Sequence, residues 1–328
     1  MPTKVVAVTD TVFPNLDPVR AVLEKVGAEL RLAKDSTPEA VLEVARDADA
    51  VLTTYAKITS DAIGKLTRCR VIVRFGVGVD NVDVAAATQA RIVVARVPDY
   101  CLDEVSDHTL ALLLALVRKI PSSNARTQAG RWEMRAVVPI HRLRGTVLGL
   151  VAFGQIPQLV APKAQAFGIR VVAHDPFVSK QLAERAGVEL VEFDELLKIS
   201  DYVSIHTPLL PSTRHLFNAD VFRRMKPSAY LINTARGPVV DEAALADALD
   251  QKHLAGAALD VMEQEPPSGS PLIGHRDNVI VTPHTSYYSD ESLLDLQTKA
   301  AEEVVRVLNG DAPRNPVNPE ALKAAHAI

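Results

Sequence analysis

Three side chains with complementary chemistry follow three strand-like segments late in the sequence. Arg236 lies in Asn-Thr-Ala-Arg-Gly, Glu265 precedes two prolines, and His284 follows Val-Ile-Val-Thr-Pro. An arginine can hold a carboxylate through paired hydrogen bonds, and a histidine can exchange a proton with an alkoxide oxygen. A glutamate can orient that histidine and favour its charged form. Together these residue types suit the reduction of a 2-oxo acid.

Each of these residues also has a simpler structural interpretation. Arg236 could close a surface ion pair, Glu265 could be a solvated turn residue, and His284 could satisfy a loop carbonyl. Taken singly, the structural interpretations are preferred. Ligands of open α/β sheets, however, bind at the carboxyl edge of the strands. Because all three residues occupy equivalent positions after neighbouring strands, the sequence favours a shared site.

An earlier strand–turn–helix segment has the layout of a dinucleotide-binding unit. The apolar run 147–152 leads into Ala-Phe-Gly-Gln-Ile-Pro, a helical pattern, and a second strand followed by Asp175. Gly154 matches the central glycine of G-x-G-x-x-G, which lets the backbone approach a pyrophosphate at the positive end of a helix. The backbone N–H groups of Gln155 and Ile156 remain available as donors.

Asp175 and two missing glycines set the expected cofactor properties. A carboxylate here accepts both ribose hydroxyls and repels a 2′-phosphate, so the pattern favours NAD over NADP. Asp175 could equally be a turn residue before a proline. Ala152 replaces the glycine of the tight turn, which predicts a negative φ there because a Cβ penalises left-handed backbone. Pro157 replaces the third glycine in the first helical turn, where its missing N–H costs little.

Short apolar runs alternate with helical patterns along the chain. One series occupies residues 4–100 and another runs from 146 to 282, so the predicted fold is α/β with two doubly wound parallel sheets. Between them, residues 103–119 predict a helix that is apolar on every face and buried on all sides. A second long helix is predicted over 289–308. The length of 328 residues suits two domains.

Composition argues against several classes of partner. A formal charge of −4 and a pI near 6.2 leave no excess of positive charge for nucleic acid. The two cysteines have neither disulfide nor metal-ligand spacing, so no metal is expected and a reducing cytoplasm fits. The longest apolar run, 110–117, is far shorter than the roughly 20 residues of a membrane helix. We therefore expect a soluble cytoplasmic protein without a membrane partner.

Glycines after an early strand suggest a substrate-binding loop. Residues 74–81 read Arg-Phe-Gly-Val-Gly-Val-Asp-Asn, and their backbone N–H groups could face a substrate carboxylate. A plain tight turn capped by Asp80 explains the same segment. The candidate substrate-binding residues are Arg74, Val77, Gly78 and Tyr100.

The combined motifs resemble the D-isomer-specific 2-hydroxyacid dehydrogenase family, which includes phosphoglycerate, D-lactate and glyoxylate-reducing enzymes and the C-terminal binding protein co-repressors. The resemblance covers most of the chain and rests on the order of residues 76–81, 104–108, the Gly154 turn, 206–209, 233–237, 265–266 and 283–284. It implies that Arg236 binds the substrate carboxylate and carbonyl. It also implies that His284, paired with Glu265, is the acid/base partner of hydride transfer at the nicotinamide.

The resemblance further implies a domain arrangement and a fuller cofactor site. An NAD-binding Rossmann domain over residues 103–289 would be inserted into a flavodoxin-like substrate-binding domain formed by residues 1–102 and 290–328. Cleft closure and a homodimer built on the nucleotide domain follow by analogy. The implied cofactor-binding residues are Gly154, Gln155, Ile156, Asp175, His206, Thr207, Pro208, Thr213, Thr234, Ala235 and Asp260.

Departures from the family pattern leave alternatives open. Ala152 and Pro157 replace family glycines, Gln155 stands where an arginine is frequent, and Ser106 replaces a usual alanine. The run 285–289, Thr-Ser-Tyr-Tyr-Ser, is more similar to the D-lactate and co-repressor branches than to phosphoglycerate enzymes. The leading hypothesis is an NAD-dependent oxidoreductase acting on a small D-2-hydroxy acid or its 2-oxo acid. An NAD(H)-sensing binding protein with little turnover, and a Rossmann protein that has lost its nucleotide, are the alternatives.

Overall fold

The computed structural model describes residues 3–274 and 276–325 and divides into two compact units. The first unit combines the described residues up to Cys101 with those from Ser289 onward, and the second spans Leu102–Tyr288. These boundaries lie one residue from the predicted ones. As predicted, both units are α/β with parallel sheets.

The first unit contains a five-stranded parallel sheet in the order β2-β1-β3-β4-β5. The strands are β1 (Val5–Val8), β2 (Glu29–Leu32), β3 (Ala50–Thr53), β4 (Val71–Arg74) and β5 (Val93–Ala95). The helices, numbered in chain order, are α1 (Asp17–Leu23), α2 (Pro38–Ala45), α3 (Ser60–Ile63), α4 (Val84–Gln89), α12 (Asp290–Leu308) and α13 (Glu320–Ala325). Strands β1, β3 and β5 are buried throughout, as expected of a parallel sheet covered on both faces.

Side-chain caps and one buried asparagine define the ends of this unit. Ser289 and Ser292 form a reciprocal capping box that starts α12 one residue after the predicted start. The buried Asn318 accepts a hydrogen bond from the Val94 amide at 2.7 Å and donates to the Ile92 carbonyl at 3.1 Å. These bonds satisfy backbone groups at the edge strand β5 and join the C-terminal segment to the first sheet.

The second unit contains a seven-stranded parallel sheet in the order β12-β11-β10-β9-β6-β7-β8. Its strands are β6 (Val147–Val151), β7 (Arg170–His174), β8 (Glu189–Leu190), β9 (Tyr202–Ile205), β10 (Tyr230–Asn233), β11 (Gly256–Leu259) and β12 (Val279–Val281). Its helices are α5 (Leu102–Val117), α6 (Ile120–Gln128), α7 (Gln155–Ala166), α8 (Lys180–Arg185), α9 (Phe193–Ile199), α10 (Ala219–Arg224) and α11 (Glu242–Asp250). The strand order reverses at β6, where doubly wound sheets place their ligand crevice.

Helix α5 packs against α7 and the sheet, but it is not buried on all sides as the sequence predicted. Leu110, Leu113 and Leu116 are buried in the core, whereas Ala111 is exposed. The continuous apolar run does not show which face of the helix is exposed. The small alanines between the leucines are tolerated both in the core and in solvent.

The turn between β6 and α7 differs from the sequence prediction in its backbone geometry. Ala152 has φ of +76°, so the predicted negative φ is wrong. The Ala152 amide donates to the His174 carbonyl of β7 at 2.9 Å, and Gly154 caps α7 in an extended conformation two residues later. The turn thus keeps its left-handed geometry despite the Cβ. Pro157 is the third residue of α7, inside the first turn as predicted.

We expect Ala152→Gly to raise the free energy of unfolding by about 0.5–1 kcal/mol, because it removes the left-handed penalty but adds freedom to the unfolded chain. Urea denaturation measures this change. Ala186→Gly is the matched control, since Ala186 ends α8 with φ of −88° and has no such penalty. An Ala152→Gly variant no more stable than the wild type would contradict the expected strain.

Candidate active site

Arg236 is presented by a turn that the preceding strand organises. Asn233, the last residue of β10, is fully buried; its side chain donates to the Arg236 carbonyl at 3.0 Å and accepts from the Ala235 amide at 3.0 Å. The Arg236 guanidinium donates to the Ala235 carbonyl at 2.7 Å. The buried amide therefore folds residues 233–236 into a fixed loop at the carboxyl end of the strand.

Glu265 and His284 are joined by a hydrogen bond. Nδ1 of His284 lies 2.7 Å from Oε2 of Glu265, while Oε1 of Glu265 accepts from the Met262 amide at 3.0 Å. Both side chains are partly buried. The carboxylate is thus held from its own loop and oriented toward the imidazole. Because Nδ1 is engaged with Glu265, Nε2 is the ring nitrogen left to exchange a proton with a ligand.

The electrostatic environment keeps Glu265 ionised. Burial raises the pKa of its carboxyl, but the hydrogen bond and charge of His284, the Met262 amide and the charge of Arg236 together outweigh burial and lower that pKa below its usual value. The residue after Arg236, Gly237, lies directly against the backbone of Met262 in the loop of Glu265, so the charge of Arg236 is close to this carboxylate. The structure therefore brings together the three side chains that the sequence proposed.

His284 occupies a strained turn that Asp260 stabilises. Its φ is +52°, an uncommon conformation for a residue with a Cβ, and its amide donates to the Asp260 carbonyl at 2.8 Å. The buried Asp260 carboxylate accepts from the Thr282 hydroxyl at 2.5 Å and from the amides of Thr285 and Ser286, each at 2.9 Å. Asp260, predicted as a cofactor ligand, thus organises the loop that carries His284.

The N-terminus of α7 fits the pyrophosphate of a dinucleotide. A Cβ placed on Gly154 would meet no atom within 4 Å, so the space above this residue is open. Gln155 and Ile156 are the first two residues of the helix, where no helical carbonyl can accept their N–H groups. Two backbone donors and the helix dipole therefore face an open space that suits an anion.

Asp175 follows β7 and is fixed by two backbone amides. Oδ2 accepts from the Phe153 amide at 2.8 Å, and Oδ1 accepts from the Phe177 amide at 2.8 Å. The turn interpretation and the ribose interpretation are therefore compatible, because each carboxylate oxygen keeps a second lone pair for a hydroxyl donor. The bond to Phe153 also joins Asp175 to the turn that precedes Gly154.

The residues after β9 contribute a neutral histidine and an unsatisfied hydroxyl. Burial lowers the pKa of His206 to about 3, so its imidazole is uncharged, and it hydrogen-bonds the Ser204 hydroxyl at 2.9 Å. Within the described parts of the chain, the buried Thr207 hydroxyl oxygen has no hydrogen-bond partner. A buried polar atom without a partner is costly. Thr207 follows β9, which lies next to β6 where the strand order reverses. A dinucleotide bound at this edge would supply the missing partner.

The other predicted cofactor residues have protein partners. The Thr213 hydroxyl donates to the Pro208 carbonyl at 2.7 Å and closes that loop, and the Thr234 hydroxyl lies 2.9 Å from that of Thr109. The Ala235 amide is bonded to Asn233 within the turn that carries Arg236. Their contact with a cofactor stays a prediction.

The predicted substrate-binding residues belong to the first unit. Arg74 ends β4, and its side chain folds over Gly76, where an added Cβ would fall 1.3 Å from Arg74 Nη1. Its guanidinium carbon lies 5.8 Å from the ring centroid of Tyr55, an exposed residue that sequence analysis missed. The sequence signal that could have pointed to Tyr55 was an aromatic residue just after the end of β3.

The other three predicted substrate-binding residues are less exposed. Val77 and Gly78 are partly buried and Tyr100 is buried. Their roles stay predictions.

The described residues contain neither a cluster of metal-ligating side chains nor a helix that could span a membrane. Across residues 3–274 and 276–325, no group of three or more His, Cys, Asp and Glu side chains could hold a metal ion. Over the same residues, the helices include none with the length and apolar character needed to span a membrane.

Curated proteins are similar in sequence to most of this chain. D-3-phosphoglycerate dehydrogenase from Methanocaldococcus jannaschii is 41% identical over 299 residues, which are 90% of this chain and 56% of that protein. The corresponding enzyme from Bacillus subtilis is 38% identical over 275 residues, 84% of this chain and 52% of that protein. The chain thus spans about half the length of the curated relatives it matches.

A solved structure and a family model complete the comparison. The D-lactate dehydrogenase from Aquifex aeolicus, complexed with NAD and lactic acid, superposes with a TM-score of 0.85 at 28% identity and covers 98% of both chains. Residues 110–286 match the model of the NAD-binding domain of D-isomer specific 2-hydroxyacid dehydrogenases, which is more than half of the chain. The chain therefore belongs to the D-isomer specific 2-hydroxyacid dehydrogenase family, with its NAD-binding domain in the second unit.

Proposed function

We propose that this protein is an NAD-dependent dehydrogenase that interconverts a D-2-hydroxy acid and its 2-oxo acid. The observation that carries the proposal is the hydrogen-bonded His284–Glu265 pair, whose carboxylate is also influenced by Arg236. These groups supply a carboxylate-binding cation, a proton donor and a carboxylate that stabilises the protonated donor. Reduction of a 2-oxo acid needs all three functions.

The contacts of the three residues support a distinct role for each. The N-terminus of α7 and Asp175 would hold NADH, which in the reductive direction would supply a hydride for the carbonyl carbon of the substrate. Arg236 holds the substrate carboxylate with its fixed positive charge. His284 donates the proton on Nε2 to the oxygen that gains negative charge, while Glu265 accepts the Nδ1 proton in a hydrogen bond and stabilises the imidazolium. In the oxidative direction, neutral His284 removes the hydroxyl proton.

D-3-phosphoglycerate is the first substrate to test. D-3-phosphoglycerate dehydrogenases are among the curated relatives, at identities from 33% to 41%. The sequence of residues 285–289 had favoured other branches of the family. The relatives therefore redirect the proposal toward a phosphorylated hydroxy acid, with D-lactate and glyoxylate as comparison substrates.

The alternatives have less support. No contact among the described residues favours a binding protein with little turnover, whereas the Arg, Glu and His set supports an acid–base site. The match to an NAD-binding domain argues against a Rossmann protein that has lost its nucleotide.

A homodimer and a cytoplasmic location also remain proposals. The homodimer rests on the family resemblance, and the cytoplasmic location rests on the sparse, buried cysteines. Light scattering of the purified protein tests the dimer.

Replacement of His284 tests the proton donor. The assay substrate is 3-phosphohydroxypyruvate, the 2-oxo acid that corresponds to D-3-phosphoglycerate. We expect His284→Ala to lower kcat for its reduction by about 10²- to 10⁴-fold, the usual contribution of general acid–base catalysis. NADH absorbance follows turnover, and NADH fluorescence should report an unchanged Kd. His253→Ala, at an exposed position of the same unit, is the control. Full turnover by the His284→Ala variant would refute the assigned role.

The pH dependence of Glu265→Gln tests the charge of the carboxylate. We expect this variant to lose about 100-fold in kcat near neutral pH. Because the folded-state pKa of Glu265 is lowered, the wild-type carboxylate stays ionised until the pH falls below the ordinary glutamate value of about 4.3. The wild type should therefore keep a higher kcat than the variant at every pH above that value, and it should lose this advantage below it. An advantage that disappears near neutral pH would contradict the lowered pKa.

Cofactor preference tests the role of Asp175. NADH should bind at least about 10-fold more tightly than NADPH, because the carboxylate bonds the ribose hydroxyls and repels a 2′-phosphate. Asp175→Ala should reduce this preference, whereas Asp247→Ala, on an exposed face of α11, should not. Fluorescence titration with both cofactors measures the ratio. Tighter binding of NADPH by the wild type would overturn the assignment.

A further inference from the structure

Glu242 is a buried carboxylate that bonds to the segment carrying Glu265. It is the first residue of α11 and only 7% exposed. One carboxylate oxygen accepts from the Glu263 amide at 2.5 Å, and the other accepts from the Ser270 hydroxyl at 2.5 Å. Residues 263 and 270 lie on either side of Glu265. A single side chain therefore holds this loop at two points.

The location of Glu242 makes a charged group tolerable there. A buried carboxylate loses its hydration, so it needs hydrogen-bond donors and a favourable field. The two donors satisfy one lone pair on each oxygen, and the N-terminus of the nine-residue α11 supplies a positive dipole end. Both donors belong to the loop of Glu265. The interactions that stabilise the buried charge are thus the ones that constrain the catalytic loop.

A second link connects this loop to the turn that carries Arg236. The Glu263 side chain is hydrogen-bonded to Nε2 of His215. The His215 amide donates at 2.9 Å to the carbonyl of Pro238, two residues after Arg236. His215 has φ of +50°, a conformation that persists only where surrounding contacts enforce it.

The two loops are also in direct backbone contact. A Cβ on Gly237 would lie 1.8 Å from the Met262 carbonyl oxygen and 2.6 Å from the Glu263 amide nitrogen, so only glycine fits there. The Glu263 amide that meets this glycine is the one bonded to Glu242. The loops that carry Arg236 and Glu265 therefore meet at Gly237 and the Glu263 amide. The carboxylate of Glu242 is bonded to that same amide.

We propose that Glu242 is a positioning residue for the acid–base pair: it fixes residues 262–265 so that Glu265 stays hydrogen-bonded to His284 beside Arg236. This inference rests on the proposed dehydrogenase function. Glu242 acts on the pair through the Glu263 amide. The sequence signal was the acidic pair Asp241-Glu242 at a helix start, which sequence analysis alone would assign to capping.

Steady-state kinetics of Glu242→Ala and Glu242→Gln provide the first test. We expect the alanine variant to lose about 100-fold in kcat, the typical effect of a displacement near 1 Å in a catalytic group, with an unchanged NADH Kd. The glutamine variant should recover most of this loss, because its amide oxygen can accept from Glu263 and its amide N–H can donate to the Ser270 oxygen. Unchanged kcat in a folded alanine variant would overturn the proposal.

Glu303→Ala is the matched control for burial. Glu303 is 5% exposed and accepts from the Arg314 amide at 2.7 Å, but it lies in α12 of the first unit. Both alanine variants should lose stability in thermal unfolding, and only Glu242→Ala should lose kcat beyond any loss of folded protein. An equal loss of kcat in both would indicate a general effect of removing a buried carboxylate and would refute a positioning role.

A double-mutant cycle separates positioning from a structural role. If Glu242 acts through Glu265, Glu242→Ala should cost little further kcat in a Glu265→Gln background, because the two effects share one pathway. The same loss in both backgrounds would overturn the proposal.

A crystal structure of Glu242→Ala provides a test that does not need turnover. We expect residues 262–265 to shift and the Glu265–His284 separation to exceed the 2.7 Å of the native pair. An unchanged pair would refute positioning. If the wild type oxidised NADH with none of the 2-oxo acids tested, the proposed function would instead be rejected. The crystallographic comparison would still decide the role of Glu242.

Discussion

Asp260 is 1% exposed at the end of β11, and its two carboxylate oxygens accept three hydrogen bonds from residues 282–286. Those bonds shape the turn in which His284 takes a left-handed conformation. His108 of α5 adds a bond to the Thr282 hydroxyl at 3.1 Å, which joins the turn to the central helix. The position of the proposed proton donor therefore depends on a buried charge whose bonding capacity is used almost entirely by backbone and hydroxyl donors.

The acid–base site consists of loops that the parallel sheet brings to one edge. Strands β10, β11 and β12 are adjacent and in parallel register, so the segments that follow them carry Arg236, Glu265 and His284 to neighbouring positions. Each loop is then secured by its own buried polar side chain: Asn233 for Arg236, Glu242 for the Glu265 segment, and Asp260 for His284. This arrangement places precise chemistry on loops while the rigid scaffold restrains them.

The turn between β6 and α7 shows how a degenerate motif can keep the geometry of a dinucleotide-binding turn. The loss of two motif glycines leaves Gly154, two helix N-terminal amides and Asp175, and each lies where an anion or a ribose can be bound. The turn follows a left-handed path through Ala152, a backbone conformation that is strained for a residue with a Cβ. The bond between Asp175 and Phe153 links the two candidate cofactor-binding elements across neighbouring strands.

The sequence by itself determined the α/β class, the dinucleotide turn and the three candidate catalytic side chains, because strand periodicity and motif spacing are local properties of the chain. It did not determine the φ of Ala152 or the exposure of Ala111, since both depend on how β6 and α5 meet their neighbours. The hydrogen bond between Glu265 and His284, which the family resemblance implied, is present in the structure. Only the tertiary structure decided that Asp260 holds the His284 turn and that Glu242 holds the Glu265 loop. These contacts join residues that are 19 to 25 positions apart in different segments. Their partners therefore follow from the register of parallel strands and from the need of buried carboxylates for donors.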